Sequence, residues 1–342
     1  MESMGKEYSE TAADASESDT TAGAEFRTHV IELPESAAGM RLDQALARAL
    51  PQYSRARLQQ WIEAGAVLLE GRRPRGKDKV VGGEHVRLVA RFERDERIAP
   101  QAQSLVVVHR DDALLVIDKP AGLVVHPGAG NRQGTLQNAL LALDPALAAV
   151  PRAGLVHRLD KDTSGLLVVA RTPQVHTRLV TALAAREVER TYLAVCTGVM
   201  TGGGTIEARI GRHRTQRTRM AVRGDGREAV THYRVVRRYR AHTLVRVQLE
   251  TGRTHQIRVH LAHIGYPIVG DPVYGGRRRR PAGCTPELAS ELASWARQAL
   301  HAAHLALAHP LTGRAMAWES APPADMACLI AALEEDLRRA GA

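Results

Sequence analysis

Apolar and polar positions alternate with a helical period in the first third of the chain, and this pattern predicts a small domain. One helix is predicted where apolar residues recur every three or four positions, at Leu42, Ala45, Leu46 and Ala49. A second helix is predicted over residues 55–64, with Ser54 as its N-cap and Gly65 as its C-terminal stop. Short apolar runs at residues 67–69 and 84–89 predict two strands. Residues 28–92 are therefore predicted to form a small α/β domain.

Residues 157–165 are a mixed polar stretch that runs directly into five consecutive apolar residues, 166–170. The apolar run predicts a strand buried on both faces, so the polar stretch is predicted to be a loop at its mouth. A loop held by a rigid scaffold can aim a few side chains at a substrate. Its Asp, Thr, Ser and Gly residues also favour tight turns, so the alternative is a structural turn with no catalytic role.

The remaining pattern predicts a larger domain over residues 105–340, preceded by two segments of different composition. Its predicted strands lie at residues 105–108, 114–117, 189–195 and 245–249, and its predicted helices at 134–141, 174–186 and 326–337. Residues 93–104 are polar and lack periodicity, which predicts a linker between the domains. Residues 1–27 consist mainly of Ser, Thr, Ala, Gly and acidic residues, which predicts a disordered acidic tail.

Length and composition limit the class of protein. A chain of 342 residues with 44% hydrophobic content is long enough for two domains with separate cores. No apolar run approaches the length that crosses a membrane, and the acidic N-terminus lacks the pattern of a signal peptide. The three cysteines, Cys196, Cys284 and Cys328, are far apart and odd in number, which indicates reduced thiols. We therefore expect a cytoplasmic protein that does not associate with membranes.

The net charge of +10 indicates a polyanionic partner. Seven acidic residues and one lysine fall within the first 25 positions, so the rest of the chain is more basic than the total shows. Two segments concentrate arginine, residues 211–219 and 277–280, and such loops can contact many phosphates. A merely solvated basic surface is the alternative, but the clustering favours a nucleic acid.

Residues 157–167 have the pattern H-R-L-D-x-x-T-S-G-L-L, which resembles the signature motif of the RluA-type pseudouridine synthases. The K-P-x-G loop at residues 119–122 resembles the first motif of that family, and residues 251–261 resemble its third. The order Arg-Leu-Asp, helix, Ser-Arg, helix, glycine and two strands in residues 28–92 resembles an S4 RNA-binding domain. The resemblance covers the chain from about residue 30 onwards. It is greatest for branch D of the family, which acts on large-subunit ribosomal RNA.

This resemblance implies a fold and a set of site residues. The fold is α+β: a pseudouridine synthase fold, with a mixed, mainly antiparallel bent sheet and flanking helices, preceded by a small α/β S4 RNA-binding domain. Asp160 stands at the catalytic aspartate, Tyr192 at the second-motif tyrosine, and Arg258 at the arginine that pairs with the aspartate. The residues expected in active-site loops are Lys119, Pro120, His157, Thr163, Arg253, His255 and Gln256. The residues expected to bind RNA are Arg41, Arg55, Arg57, Arg212, Arg214 and Arg217, together with Arg158, which is expected to fill the stack after base flipping.

The expected reaction is the isomerisation of uridine to pseudouridine. It breaks the C1′–N1 bond, rotates the uracil and forms C1′–C5, so no redox cofactor and no metal is expected. A paired Arg258 would keep Asp160 ionised and in position beside the sugar and the base. Three routes for Asp160 stay open: attack on C6 of the base, attack on C1′, and abstraction of a sugar proton. Tyr192 is expected to stack on the base or to relay the C5 proton, after the base has been extruded from its stack.

The expected partner is large-subunit ribosomal RNA or a pre-50S particle, at one or more uridines of a stem-loop at the subunit interface. No obligate protein partner is implied, and a monomer is expected. Two alternatives keep the RNA partner: the same chemistry on tRNA, and a non-catalytic RNA-binding protein of ribosome assembly. A metal site at His255, His260 and His263 is the third alternative. It is disfavoured because their spacings of five and three scatter the rings around a helix.

Overall fold

The computed structural model describes residues 18–21, 24–50, 53, 55–93, 98–128, 131, 133–216, 219–276 and 280–341. The chain divides into two compact units between residues 96 and 97. Each unit is built on its own sheet and buries its own core. No helix in the described ranges is both long enough and apolar enough to cross a membrane.

The first unit is a four-stranded antiparallel sheet packed against two helices. Its strands are β1 (Ser18–Thr21), β2 (Ala24–Glu32), β3 (Val67–Leu69) and β4 (His85–Glu93), in the order β1-β2-β4-β3. Its helices are α1 (Leu42–Ala49) and α2 (Arg55–Glu63). Leu46 of α1 and Leu58 of α2 share one core with Val67 and Leu88 of the sheet. The apolar spacing that predicted α1 is thus the spacing of its buried face.

The structure differs from the predicted disordered tail at residues 18–27. β1 and the start of β2 lie within that range, and β2 pairs with β4 from Ala24 opposite Glu93 to Glu32 opposite His85. Composition does not reveal this order, because it comes from backbone hydrogen bonds to a strand far along the chain. Residues 1–17, 22 and 23 lie outside the described residues.

The predicted linker, residues 93–104, contains the division between the units, but its second half is held in place. The backbone N–H of Gln101 donates to Asn138 O at 3.0 Å, and its side chain accepts from the N–H of Gly134 at 2.7 Å. The side chain of Asn138 donates to Ala99 O at 2.7 Å. These bonds make residues 99–101 part of the second unit.

The second unit is built on a mixed, mainly antiparallel sheet, as predicted. Its strands are β5 (Val106–Arg110), β6 (Leu114–Lys119), β7 (Ser164–Ala170), β8 (Glu189–Thr197), β9 (Gly204–Glu207), β10 (Ile210–Arg212), β11 (Met220–Val222), β12 (Val230–Arg238), β13 (His242–Leu249), β14 (Leu300–Ala308) and β15 (Ala315–Glu319). The sheet order is β5-β6-β7-β14-β8-β13-β12-β9, with β15 also paired to β14, while β10 and β11 form a separate hairpin. Among the described strands, only β7 and β14 pair in parallel.

β7 is buried along its whole length, as its five apolar residues predicted. Leu167 belongs to the core on one face of the sheet, and Leu166 and Val168 belong to the core on the other. Gly165 is required where β7 meets β14, because a Cβ there would lie 2.2 Å from Ala302 O. The polar loop that precedes β7 is therefore anchored to a rigid strand.

Helices cover both faces of this sheet. They are α3 (Leu136–Leu143), α4 (Pro173–Ala184), α5 (Gln256–His263), α6 (Pro286–Ser294) and α7 (Ala324–Ala340). α3, α4 and α6 each begin after a threonine whose side chain accepts a backbone N–H, at Thr135, Thr172 and Thr285. Leu140 of α3 and Leu179 of α4 lie in the cores on opposite faces. The predicted helices at 134–141 and 174–186 are thus present, with shifted ends.

Candidate active site

Residues of the predicted motifs meet in one cleft of about 410 Å³ in the second unit. Asp160 enters it from the loop before β7, Tyr192 from β8, and His255 and Arg258 from the start of α5. These side chains come from distant parts of the chain, so the sheet and α5 bring them together. We call this cavity the Asp160 cleft.

Asp160 is anchored through one of its two carboxylate oxygens. Arg258 Nη1 donates to Asp160 Oδ2 at 2.9 Å, and Asp160 Oδ1 lies 3.8 Å from His255 Nε2. The Arg258 side chain is 5% exposed and that of Asp160 is 16% exposed. The carboxylate is therefore fixed on its buried side and keeps an accessible surface for a substrate.

Arg258 is itself held by a second carboxylate, that of Asp271. Arg258 Nε donates to Asp271 Oδ2 at 2.7 Å and Arg258 Nη2 donates to Asp271 Oδ1 at 2.9 Å, which is a bidentate pair. The backbone N–H groups of Val273 and Tyr274 also donate to Asp271 Oδ1. Burial opposes the charge on Arg258, but the hydrogen bonds that Arg258 donates to Asp271 and the charge of Asp160 raise its pKa. Burial likewise opposes the charge on Asp271, yet Arg258 lowers the pKa of that carboxyl. Both groups therefore stay ionised at neutral pH.

Tyr192 is buried in the same cleft, with 5% of its surface exposed. Burial raises the pKa of its phenol, and the charge of Arg190 opposes this shift. The phenol is therefore protonated at neutral pH and presents a flat ring and one O–H group.

His255 reaches the cleft from a strained backbone position at the N-cap of α5, with a φ of 56° in the left-handed region. Its Nδ1 lies 2.9 Å from Tyr274 Oη, which accepts the backbone N–H of Met220 at 2.9 Å. The phenol proton of Tyr274 can donate to His255 Nδ1, and in that arrangement the neutral imidazole carries its proton on Nε2, toward Asp160. Burial lowers the pKa of His255, and the charge of Asp160 opposes the shift.

Lys119 is fully buried and joins two loops beside the cleft. Its Nζ donates to the carbonyl oxygens of Pro120 at 2.8 Å, Leu123 at 2.9 Å and Lys161 at 2.9 Å. Lys161 directly follows Asp160, so Lys119 ties the K-P-x-G loop to the Asp160 loop. Burial lowers the pKa of Lys119 to about 7. Lys119 therefore holds the two loops together and does not itself line the Asp160 cleft.

His157 and Thr163 hold the two ends of the Asp160 loop. His157 Nε2 accepts the backbone N–H of Val168 at 3.2 Å, and Thr163 Oγ1 accepts from Gln298 Nε2 at 3.1 Å. Burial and the charge of Arg190 lower the pKa of His157 to about 3, which matches its role as an acceptor.

Gln256 and Arg253 shape the turn that leads into α5. Gln256 Oε1 accepts from Thr251 Oγ1 at 2.8 Å and from the backbone N–H of Arg253 at 2.9 Å, and Gln256 Nε2 donates to Val230 O at 2.9 Å. Arg253 Nε donates to Glu228 O at 2.9 Å. These bonds set the direction from which His255 and Arg258 enter the cleft.

Of the predicted RNA-contacting arginines in the second unit, those that the structure describes lie on its surface. Arg158 is exposed and lines the Asp160 cleft. Arg212 ends β10, Arg214 follows it, and both are exposed. Arg217 lies outside the described residues, as do residues 277–279.

In the first unit, a buried carboxylate organises two of the three predicted arginines. Asp43 is inaccessible to solvent and accepts from Arg41 Nε at 3.1 Å, Arg55 Nη2 at 2.8 Å and Gln59 Nε2 at 2.6 Å. Burial opposes the charge of Asp43, but these bonds lower its pKa to about 2. Arg57 lies about 200° around α2 from Arg55, with its guanidinium 5.3 Å from the centre of the Trp61 ring. The three arginines therefore do not share one face.

The three histidines of the metal alternative do not converge. His260 is buried, with Nδ1 bonded to Thr231 Oγ1 and Nε2 to Ala208 O, each at 2.8 Å. Within the described ranges, no three His, Cys, Asp or Glu side chains come together as metal ligands.

Sequence reasoning did not single out three residues around the cleft: Asp271, Tyr274 and Arg190. Asp271 and Tyr274 hold Arg258 and His255, and Arg190 is a buried cation that lines the cleft. The position of Arg190 two residues before Tyr192 was the available signal, since side chains at i and i+2 of a strand share a face.

Comparisons with known proteins show which family and which proteins the chain is similar to. The model of the RNA pseudouridylate synthase family matches residues 113–263, and that of the S4 domain matches residues 40–86. Ribosomal large subunit pseudouridine synthase D of Xanthomonas campestris pv. campestris is 56% identical over 308 residues, covering 90% of this chain and 93% of that protein. Its namesake from Pseudomonas aeruginosa is 54% identical over 305 residues, covering 89% and 95%. That of Escherichia coli (strain K12) is 52% identical over 303 residues, covering 88% and 93%.

Two solved human structures resemble the chain. Human RNA Pseudouridylate Synthase Domain Containing 4 matches with a TM-score of 0.53 and 28% identity, over 67% of this chain and 92% of that one. Human RNA Pseudouridylate Synthase Domain Containing 1 matches with a TM-score of 0.50 and 26% identity, over 65% and 85%.

Proposed function

The chain belongs to the RNA pseudouridylate synthase family, and we propose that it isomerises specific uridines of 23S ribosomal RNA to pseudouridine, with Asp160 as the catalytic residue. The names of relatives more than 50% identical over most of their length support the choice of large-subunit ribosomal RNA. The matched S4 domain supports an RNA substrate independently.

The observation that carries the catalytic proposal is the asymmetric environment of the Asp160 carboxylate. Arg258 donates to Oδ2 of Asp160, and the two hydrogen bonds that Arg258 donates to Asp271 keep its guanidinium from rotating. The Asp160 carboxylate also lines an open cleft. A fixed and ionised carboxylate beside the bound nucleotide serves each of the three routes: attack on C6, attack on C1′ and abstraction of a sugar proton. The first two place Asp160 as a nucleophile, and the third places it as a base.

Tyr192 is proposed to contact the uracil ring. Its buried ring offers a face for stacking, and its protonated phenol offers a group that can relay the C5 proton after C1′–C5 forms. Arg158, exposed at the cleft, is proposed to fill the gap that the flipped nucleotide leaves, because a guanidinium can stack and donate hydrogen bonds at once.

Arginines outside the cleft are proposed to contact phosphates and to position the RNA. Arg212 and Arg214 would do so in the second unit, and Arg41 and Arg55, aligned by Asp43, in the first. Arg57 would meet RNA from another side of α2. We propose that the protein acts as a monomer in the cytoplasm, on free 23S RNA or on a pre-50S particle.

The test is pseudouridine mapping of 23S RNA from a strain that lacks the gene and is complemented with the wild type, Asp160→Asn or Asp162→Asn. Asp162 is the matched control, because it carries the same charge two residues away and does not line the cleft. We expect sites that vanish on deletion, return with the wild type and with Asp162→Asn, and stay absent with Asp160→Asn.

Other outcomes would contradict the proposal in distinct ways. If deletion leaves the pseudouridines of 23S RNA unchanged and removes pseudouridines from tRNA, the substrate is tRNA. Full restoration by Asp160→Asn would remove Asp160 from catalysis. Unmodified RNA of both kinds, with a defect in subunit assembly, would favour a non-catalytic RNA-binding protein.

A further inference from the structure

Arg190 is a buried arginine that points into the Asp160 cleft. It lies on β8, where Arg190 and Tyr192 are buried while Glu189 and Thr191 face the other side of the sheet. Arg190 is 7% exposed and lines the same cavity as Asp160 and Tyr192. Its guanidinium is therefore beside the position proposed for the target base.

The charge of Arg190 is not neutralised by the part of the chain that the structure describes. There, no carboxylate forms an ion pair with it, its Nε has no hydrogen-bond partner, and Nη2 makes one long contact of 3.4 Å with Glu250 O. Arg258 differs, because Asp160 and Asp271 both bind it. A buried cation without a counter-charge is costly, so such a group calls for a ligand that completes it.

The surroundings of Arg190 favour an anion deep in the cleft. Gly252 leaves room for the guanidinium, since a Cβ at that position would lie 3.0 Å from Arg190 Nη1. His157, which also lines the cleft, is neutral because its ring accepts the Val168 N–H. Arg152 and Arg158 line the cleft as exposed residues, so they are the groups placed to meet backbone phosphates at its rim.

The reaction itself creates the missing negative charge. When the C1′–N1 bond breaks, its electron pair stays on the uracil and is shared among N1 and the two carbonyl oxygens. After the ring rotates, C5 uses an electron pair to form the bond to C1′. Any bond that Asp160 has formed to C1′ or C6 breaks and returns its electron pair to the carboxylate, or a proton that Asp160 has abstracted returns to the sugar. The C5 proton then leaves to a base. Addition of Asp160 to C6 also places charge on a uracil carbonyl oxygen. Each route therefore has a uracil anion whose charge needs a counter-ion.

We propose that Arg190 binds the carbonyl oxygens of the target uracil and stabilises the uracil anion formed when the C1′–N1 bond breaks. This inference rests on the proposed function. In this proposal Arg190 stabilises the negative charge of the leaving base, whereas Arg258 holds the Asp160 carboxylate. A contact to the phosphate of the same nucleotide is the competing source of negative charge, and the experiment separates the two.

The experiment uses the purified full chain and a 23S stem-loop that carries a site mapped in the wild type, with uridine or 5-fluorouridine at that site. Loss of the starting nucleoside is followed in a single turnover at saturating enzyme, and the Kd for each RNA is measured separately. We expect Arg190→Gln to slow the reaction of uridine by about 100-fold, comparable to the removal of one donor from an oxyanion hole. We expect the Kd to change by less than about 3-fold, because an anion formed during the reaction contributes little to ground-state binding.

The fluorinated substrate separates anion stabilisation from a structural role. Fluorine at C5 stabilises the uracil anion on its own, so we expect Arg190→Gln to lose less rate with 5-fluorouridine than with uridine. Arg190→Lys keeps the charge and should recover part of the rate. Arg246→Gln is the matched control, since it removes an exposed arginine on the other face of the same sheet, and we expect the wild-type rate from it.

Each remaining outcome overturns the inference. A raised Kd for both RNAs, with a wild-type rate at saturating enzyme, would mark Arg190 as a phosphate contact. Equal losses of rate for both substrates, or no recovery in a folded Arg190→Lys, would mark it as a structural residue. A wild-type protein that leaves both RNAs unmodified would overturn the proposed function and the role of Arg190 with it.

Discussion

Asp271 holds two N–H groups of Arg258 and so directs the remaining Nη1 toward Asp160. We predict that Asp271→Asn lowers kcat strongly and changes RNA binding little, because the variant frees Arg258 to rotate while the RNA-contacting surface stays intact. We also expect a loss of about 3 kcal/mol in the free energy of unfolding, since one partner of a buried ion pair is removed. Single-turnover kinetics and urea denaturation measure the two effects. Asp325→Asn is the control, because Asp325 forms a similar bidentate pair with Arg297 while 49% exposed.

The same pair predicts how stability depends on pH. Arg258 lowers the pKa of Asp271 in the folded chain, whereas in the unfolded chain that carboxyl has its ordinary pKa of about 3.9. The stabilisation is therefore fully present above pH 3.9 and is lost as the pH falls through the folded value. We expect the stability difference between wild type and Asp271→Asn to be constant from pH 7 to about 5 and to shrink on further acidification. A difference that grows on acidification would contradict this assignment.

The site residues differ in how far the sequence could predict them. Asp160 and Arg258 lie in motifs of polar residues, and their types and spacing identified them as candidates before their contact was known. Asp271 carries no such sign, because its role depends on reaching Arg258 across a turn. Arg190 belongs to an ordinary alternating strand, and its missing counter-ion is visible only in three dimensions.

Tyr274 links the β10–β11 hairpin to α5 through one hydroxyl group, which contacts the Met220 N–H and His255 Nδ1. Tyr274→Phe keeps the ring that lies 5.1 Å from the Arg258 guanidinium and removes both bonds. We predict a loss of about 1 kcal/mol in stability. We also predict that His255, a single Nε2–H tautomer in the wild type, becomes a mixture of tautomers, which ¹⁵N-histidine spectra detect. Tyr266→Phe is the control, because Tyr266 is a partly buried tyrosine that does not line the Asp160 cleft. An unchanged His255 tautomer in Tyr274→Phe would refute the proposed link.

Lys119 joins the K-P-x-G loop to the Asp160 loop by three hydrogen bonds from one ammonium group. Lys119→Met keeps the length of the side chain and leaves three carbonyl oxygens without this donor. We predict a loss of about 3 kcal/mol in stability, at roughly 1 kcal/mol for each bond, and a lower rate at saturating RNA because the loop that carries Asp160 loosens. Thermal unfolding and single-turnover kinetics measure both effects. Lys161→Met, which changes an exposed lysine in the same loop, should match the wild type.

Across the whole chain, local sequence patterns predicted where helices and strands lie better than which strands pair with one another. The buried β7 and the helices α1, α3 and α4 followed from the apolar pattern, because their contacts repeat with the period of the element, whereas α2 followed from its capping residues. The strand at residues 24–32 did not, because its order depends on pairing with β4. The parallel pairing of β7 with β14 could not be predicted either, because it joins residues that are far apart in the sequence, such as Ser164 and His301.

Arginines outside the Asp160 cleft, in both units, are proposed to contact phosphates, whereas the charges inside the cleft act on the target nucleotide. Salt dependence distinguishes these two tasks. Each phosphate contact contributes about 0.7–0.9 to the slope of log Kd against log salt, whereas a contact to the base in the cleft contributes little. We predict that Arg55→Gln lowers this slope by about that amount and weakens binding, with an unchanged single-turnover rate at saturation. Asp43 keeps Arg41 and Gln59 as partners in this variant, so the first unit should remain folded. Arg338→Gln, which removes an exposed arginine from α7, is the control for net charge. If both variants lower the slope equally, the effect comes from the field of the whole protein, and Arg55 makes no phosphate contact of its own.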